Sequence, residues 1–105
     1  MEAPLLITHN GTPLGVAAQD APSSAWESVR PPAHHRLPSI DELEGMYHQL
    51  HAWGLGNFQP AVYWSGSAFN DTVAWYFDFR TGTDGTALKR FTCHVRFVSN
   101  TPPAP

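Results

Sequence analysis

The sequence predicts an α+β domain in which one main helix packs on a small twisted antiparallel sheet. Two patterns predict this class. Apolar residues recur at helical spacing over 40–52, and beyond Gly56 they occupy alternate positions, as in strands with one buried face. The chain has 105 residues, enough for a single modest core, and its ten prolines and eight glycines favour short elements joined by turns.

Composition excludes several classes of protein. Only 14% of the residues are charged and the formal net charge is −3, so no basic surface is available for a nucleic-acid backbone. No apolar run reaches the roughly 18 residues of a membrane span. No basic leader is present, so we expect no signal peptide and a chain that is cytoplasmic as made, with a phage particle or surface assembly as alternative destinations. Cys93 is the single cysteine, which excludes an internal disulfide.

Residues 1–35 are predicted to form a divergent N-terminal segment with an edge hairpin. Asn10 and Gly11 lie between two short apolar runs, 5–7 and 14–16, and both tolerate the positive φ of a type I′ turn. The proline-rich stretch that follows favours an irregular crossing with one turn of helix at 23–29.

The clearest element begins at Ser39. Ser39 and Glu42 have the spacing of a capping box, in which each side chain bonds the backbone N–H of the other residue. Gly54 is expected to end the helix. The apolar stripe of this helix comprises Ile40, Leu43, Met46, Tyr47 and Leu50. We therefore predict a helix over about 40–52.

The second half of the chain is predicted to be strands. A short strand is expected at 62–65. The stretches 73–80 and 91–98 alternate, and the glycine-rich turn 81–86 is predicted to join them as an antiparallel hairpin with one buried face. The residues predicted to face inward are Val73, Trp75, Phe77, Phe79, Phe91, Cys93, Val95 and Phe97. Residues 100–105 are predicted to be a proline-rich tail.

Four motifs follow one another along the chain: RLPSIDEL at 36–43, YWSGS at 63–67, AWYFDF at 74–79 and VRFV at 95–98. This succession resembles the C-terminal domain of collagen-like bacterial adhesins and its relatives in intimin-like, fibrous surface and phage variable proteins. The resemblance implies a C-type-lectin-like fold, of the branch shared with formylglycine-generating enzymes, with its core at 36–99. Gly66 and Ser99 depart from the family pattern, which has a serine and an arginine there.

The motif residues are predicted to be structural. Large aromatic side chains favour a core role over a sugar-stacking platform. Arg36 or Arg96 is expected to pair with Asp78 or Asp41 and to fix the helix start against the sheet, with a clamp on a ligand carboxylate as the alternative. The predicted structural residues are Arg36, Ser39, Glu42, Trp64, Trp75, Phe77 and Arg96.

The resemblance implies a noncatalytic recognition module that binds a glycan or a protein surface, as an adhesin or a phage receptor-binding protein does. The loop 66–72 is the preferred contact segment, completed by outward strand residues and Lys89. Tyr63, Tyr76 and Trp53 are candidates for exposed aromatic contacts, although a structural role is the stronger expectation for each. The predicted ligand-binding residues are Ser67, Phe69, Asn70, Asp71, Tyr76, Arg80, Arg90 and His94. The alternative is an intracellular interaction or assembly protein of a phage or mobile element, and a homo-oligomer is left open for either function.

No catalytic or metal site is predicted. The formylglycine-generating relatives need two reactive cysteines, whereas Cys93 is alone and is expected to be buried with a raised pKa. His48 and His51, with His34 or His35, lack the i,i+4 spacing of zinc-binding helices. Calcium is left open as a cofactor, although no calcium-binding loop motif is present. The oxygen-bearing candidates for calcium are Asn57, Asn70, Asp71, Asp78 and Asp84.

Overall fold

The computed structural model describes residues 5–100, which form an α+β domain with one α-helix and two sheets. This confirms the predicted class. A three-stranded sheet has the order β1-β2-β8 and a five-stranded sheet has the order β3-β7-β4-β5-β6. The elements are β1 (Leu5–His9), β2 (Thr12–Val16), β3 (Ala21–Ser24), α1 (Ile40–Gln49), β4 (Val62–Ala68), β5 (Val73–Asp78), β6 (Thr83–Leu88), β7 (Cys93–Val95) and β8 (Val98–Ser99). No helix among these residues has the length and apolarity that a membrane crossing requires.

The structure contains the N-terminal hairpin. Asn10 and Gly11 have φ angles of 53° and 76°, which a type I′ turn requires, and β1 pairs with β2 in regular antiparallel register. Strand β2 also pairs with β8, where Val16 lies opposite Val98. The hairpin therefore joins the start of the domain to its last strand. In the crossing that follows, the predicted helical turn is a 3-10 turn at Trp26–Ser28.

The capping box at the start of α1 is confirmed. The Glu42 N–H donates to Ser39 Oγ at 3.1 Å, and the Ser39 N–H donates to Glu42 Oε1 at 2.8 Å. The helix is shorter than predicted, because the chain tightens after Gln49 into a 3-10 turn at His51–Trp53. Gly54, with a φ of 72°, then ends this turn in the left-handed conformation that glycine favours.

The first core lies between α1, the small sheet and one face of the large sheet. Its buried members are Ile7, Leu14, Val16, Leu43, Met46, Leu50, Phe58, Tyr63, Phe77, Phe79 and Val98. Tyr63 was a candidate for an exposed contact, with a structural role as the stronger expectation, and its ring is fully buried against Phe58 and Phe79, which gives it the structural role.

The second core lies on the opposite face of the large sheet. Its buried members are Trp64, Ala74, Cys93, Val95 and Phe97, with Trp26 and Tyr76 among the half-buried residues against it. The prediction of one buried face is therefore wrong for the large sheet. Alternate side chains of β4 fill different cores, as Tyr63 and Trp64 show.

The predicted hairpin between 73–80 and 91–98 is wrong. Strand β5 pairs with β6, a segment predicted to be a turn. Tyr76 lies so close across Gly85 that a Cβ there would be 2.6 Å from the tyrosine oxygen, so this glycine accommodates an aromatic side chain from the neighbouring strand. Strand β7 instead runs parallel to β4, with His94 opposite Tyr63, so the sheet is mixed.

Arg96 interrupts the predicted strand 91–98, which is divided into β7 and β8. Its side chain is fully buried and donates from Nε to Asp20 Oδ1 at 2.8 Å. Its Nη1 and Nη2 atoms donate to the carbonyls of Ala17, Gly56 and Asn57. The structural role of Arg96 thus agrees with the prediction, but its acidic partner is neither Asp78 nor Asp41.

Arg36 fixes the helix start, as predicted, through a different carboxylate from those proposed. Its Nη1 and Nη2 atoms each lie 2.7 Å from an oxygen of Glu42, and its backbone pairs with Val98 beside β8. Asp78 was proposed as a partner but is bound by Arg80, only two residues away. Asp78 therefore has an arginine partner of its own.

Candidate binding site

The predicted contact loop is shorter than expected. Ser67 belongs to β4, and the exposed turn comprises residues 69–72. The N–H groups of Phe69 and Asn70 both donate to the carbonyl of Val73. The Asn70 side-chain oxygen accepts from the backbone N–H groups of Thr72 and Val73, each at 2.9 Å. Asn70 therefore holds the turn in shape, which is a different task from the predicted ligand contact.

An apolar patch lies beside this turn. We call it the tip patch and define it as Phe69, Val73, Trp75 and Leu88. Phe69 is 59% exposed, and its ring centre lies 5.7 Å from that of Trp75 in an edge-on arrangement. Val73 and Leu88 lie directly opposite each other on β5 and β6. None of the four belongs to either core.

The prediction that Trp75 is a core residue is wrong. Trp75 is half-buried, and Phe77, two residues further along the same strand face, is the residue that packs beneath α1. The ring centre of Phe77 lies 5.6 Å from that of Tyr47 on the helix. Alternation predicts correctly that the two side chains share a face, but the helix covers that face at Phe77 and leaves Trp75 partly open.

Polar groups adjoin the tip patch. The indole N–H groups of Trp26 and Trp64 donate to backbone carbonyls. Within residues 5–100 the indole N–H of Trp75 has no hydrogen-bond partner, so it is available to a ligand. Thr86 lies opposite Trp75 on β6, and Asp71 is exposed on the turn. The surface thus combines aromatic faces with one free donor, a hydroxyl and a carboxylate.

Arg90 flanks the tip patch, and its neighbour Phe91 was misplaced by the sequence analysis. Lys89 donates its N–H to Thr72 O at 2.9 Å, which brings the turn after β6 beside the turn 69–72. Arg90 is exposed, with its guanidinium carbon 5.9 Å from the ring centre of Phe91. Phe91 was predicted to face inward but is 50% exposed, because β7 begins only at Cys93.

Three predicted ligand-binding residues lie away from this surface. Tyr76 is on the opposite face, against the second core. Arg80 follows the end of β5 that is farther from the turn 69–72. A strand of this length places Arg80 about 20 Å from that turn, and there Arg80 pairs with Asp78. His94 is half-buried, with its ring centre 5.3 Å from that of Tyr63. The structure therefore keeps Phe69, Asn70 and Asp71 on one turn, with Ser67 on the strand that leads into it and Arg90 on the neighbouring turn, and separates the other three.

Val73, Leu88 and Thr86 are the site residues that the sequence analysis missed. Their positions depend on the register of β6 against β5, and β6 had been predicted as a turn. The β-branched threonines Thr83 and Thr86 are the one signal that could have revealed this strand.

Two titratable groups that were candidates for chemistry, Asp78 and Cys93, are engaged in structure. No group of three or more histidine, cysteine or acidic side chains in residues 5–100 is arranged to hold a metal. The Arg80 guanidinium lowers the pKa of the Asp78 carboxyl, which keeps this calcium candidate paired. Burial raises the pKa of the Cys93 thiol to about 11, so the thiol is neutral and a poor nucleophile at neutral pH, as predicted.

A comparison with protein-family models gives no match for this chain, and a comparison with curated proteins gives none either. The C-type-lectin-like resemblance therefore stays a prediction.

Proposed function

We propose that this chain is a noncatalytic recognition module that binds a glycan or a protein surface through the tip patch. The observation that carries the proposal is the position of Phe69 and Trp75 outside both cores, where Phe69 lies on a turn that Asn70 holds in one shape and Trp75 lies on the strand that follows. Large apolar side chains left outside a core are a typical mark of an interaction site when they are contiguous.

The chemistry of the patch suits a sugar ring. Aromatic faces pack against the C–H face of a pyranose, while sugar hydroxyls need donors and acceptors at the edge of the ring. The free indole N–H of Trp75, the Thr86 hydroxyl and the Asp71 carboxylate supply these groups. A turn already held by its own hydrogen bonds reduces the entropy lost on binding. A glycan is therefore the first ligand class to test.

A glycan array tests this proposal directly. We expect the wild-type protein to bind a restricted set of glycans and Phe69→Ala to lose that signal while keeping its circular dichroism spectrum. Trp53→Ala is the matched control, because Trp53 is 77% exposed on the turn after α1, away from the patch. Binding that survives Phe69→Ala, or that is lost equally in Trp53→Ala, would contradict the proposal.

The second candidate is protein assembly, in an intracellular complex of a phage or mobile element. The observation that favours it is the apolar character of Val73 and Leu88, which extend the patch beyond the two aromatic rings. No signal on the array, together with a purified protein partner that binds wild type and Trp53→Ala but not Phe69→Ala, would favour this candidate over the glycan.

A further inference from the structure

The outer strands of the two sheets differ in how well their free edges are protected from pairing with another chain. Exposed edges invite pairing with another chain, and proteins usually cover them or place proline or lysine there. Gln49 covers β1, since its side-chain amide both accepts from the Thr8 N–H and donates to the Thr8 carbonyl, each at 2.8 Å. Arg36 covers β8 through two backbone hydrogen bonds with Val98. Strand β3 contains Pro22 and a register shift.

Strand β6 has none of these protections in the part of the chain described. It pairs with β5 in unbroken register over its whole length and contains no proline, lysine or arginine. No side-chain hydrogen bond reaches residues 84–88 from elsewhere in residues 5–100. It is therefore the open edge of the large sheet.

The backbone groups that face outward can be identified from the register. Lys89 donates its N–H to Thr72 O, so Lys89 faces β5. Along a strand, the backbone N–H and carbonyl groups of successive residues point alternately toward one neighbouring strand and toward the other side. Because those of Lys89 point toward β5, those of Thr86 and Asp84 point away from it. The Leu88 carbonyl would also face out, but it accepts from the Phe91 N–H. The free edge thus presents the main-chain N–H and carbonyl groups of Asp84 and Thr86, together with the N–H of Leu88.

We infer that β6 pairs antiparallel with β6 of a second copy of this chain, forming a two-fold dimer with one continuous sheet. The orientation follows from Asp84, the one charged residue of the strand. Antiparallel pairing centred on Thr86 places Asp84 opposite Leu88 of the other copy. Parallel pairing in register would place two Asp84 carboxylates side by side, which is unfavourable.

The dimer also brings two tip patches onto one surface. A two-fold axis perpendicular to the sheet keeps the same face of both copies on the same side. The two Trp75 side chains would be separated by three strand spacings, about 14 Å. A ligand with two epitopes at this spacing would engage both copies and bind more tightly than a ligand with one.

The test is sedimentation velocity of the full chain from micromolar to millimolar concentration, with two variants at one position. We expect wild type to show a monomer–dimer equilibrium. Thr86→Pro removes the outward N–H and should lose the dimer, since proline is tolerated where that N–H bonds nothing within the monomer. Thr86→Val keeps the backbone donor and should dimerise as wild type does. A monomeric wild type at millimolar concentration, or a dimeric Thr86→Pro, would overturn the inference.

Amide hydrogen exchange on wild type gives an independent readout if Thr86→Pro does not fold. The Thr86 and Leu88 amides, which would donate to the Thr86 and Asp84 carbonyls of the other copy, should exchange more slowly as the protein concentration rises. Exchange rates of these two amides that do not change with concentration would overturn the inference.

Discussion

Arg96 carries a charge into the interior of the domain, and its side chain makes contacts that a lysine cannot reproduce. The guanidinium bonds Asp20 and three backbone carbonyls, and its central carbon lies 4.1 Å from the centre of the Phe58 ring. Asp20 also accepts from the Tyr63 hydroxyl at 2.8 Å. A single planar cation therefore holds together segments distant in the chain.

Arg96→Lys should destabilise the domain by about 3 kcal/mol, because an ammonium group cannot satisfy these acceptors together. Urea unfolding measures the change. Arg80→Lys is the matched control: its side chain is 61% exposed and pairs with Asp78 at the surface, where solvent screens the pair, so it should shift stability far less than Arg96→Lys does. Equal losses in the two variants would contradict the role assigned to Arg96.

Trp64 and Trp75 should respond differently to truncation, because one is fully buried and the other lies outside both cores. Trp64→Ala should cost about 3–5 kcal/mol of unfolding free energy, through lost packing and the cavity left behind. Trp75→Ala should cost about 1 kcal/mol, the ordinary effect of a point substitution. Thermal and urea unfolding of both variants would show the difference, and similar losses would mean that Trp75 is a core residue.

At the scale of elements, the start of α1 is specified by residues within the helix itself, whereas β6 is specified by its contacts with another strand. Ser39 and Glu42 specify the helix start within four consecutive residues, so the sequence alone was sufficient to predict it. Residues 83–88 contain glycine and aspartate, which are typical of turns. Their strand conformation depends on pairing with β5 and on the contact between Tyr76 and Gly85. Local propensity cannot predict these contacts, because both involve residues outside the segment.

The ion pair at the start of α1 predicts a pH dependence of stability. The Arg36 guanidinium lowers the pKa of the Glu42 carboxyl below its ordinary value. A lowered pKa in the folded state means that the contribution to stability is complete above the unfolded pKa, about 4.3, and is lost as pH falls through the folded value. Wild type should therefore exceed Glu42→Gln in unfolding free energy at pH 7, and the difference should shrink below pH 4.

Urea unfolding across a pH series checks this prediction. The glutamine side chain of the Glu42→Gln variant would retain the neutral part of the capping box, so the comparison isolates the charge. Asp41→Asn is the control, since Asp41 is exposed in the same turn of the helix and is bonded by no arginine within residues 5–100. A difference between wild type and Glu42→Gln that stays constant down to pH 2 would contradict the proposed pair.

For the whole molecule, the sequence predicted the class and the hydrophobic residues better than their arrangement. Alternation identified β5 and its two faces, but it could not show that a second core covers the face predicted to be open. That core exists because β7 crosses to lie parallel to β4 and β3 pairs with β7, contacts between segments far apart in the chain. The tip patch follows from the same arrangement, since it is the part of the sheet face that α1 does not cover.

The central claim is that ligands contact Trp75 and not the two tryptophans, Trp26 and Trp64, whose indole N–H groups are bonded to backbone carbonyls. Nuclear magnetic resonance of the four tryptophan indole N–H groups tests it, with the oligosaccharide that gives the strongest array signal as the probe. We predict that the Trp75 resonance shifts on titration while those of Trp26 and Trp64, bonded to backbone carbonyls, remain in place. A titration that shifts Trp53 and leaves Trp75 unchanged would contradict the account.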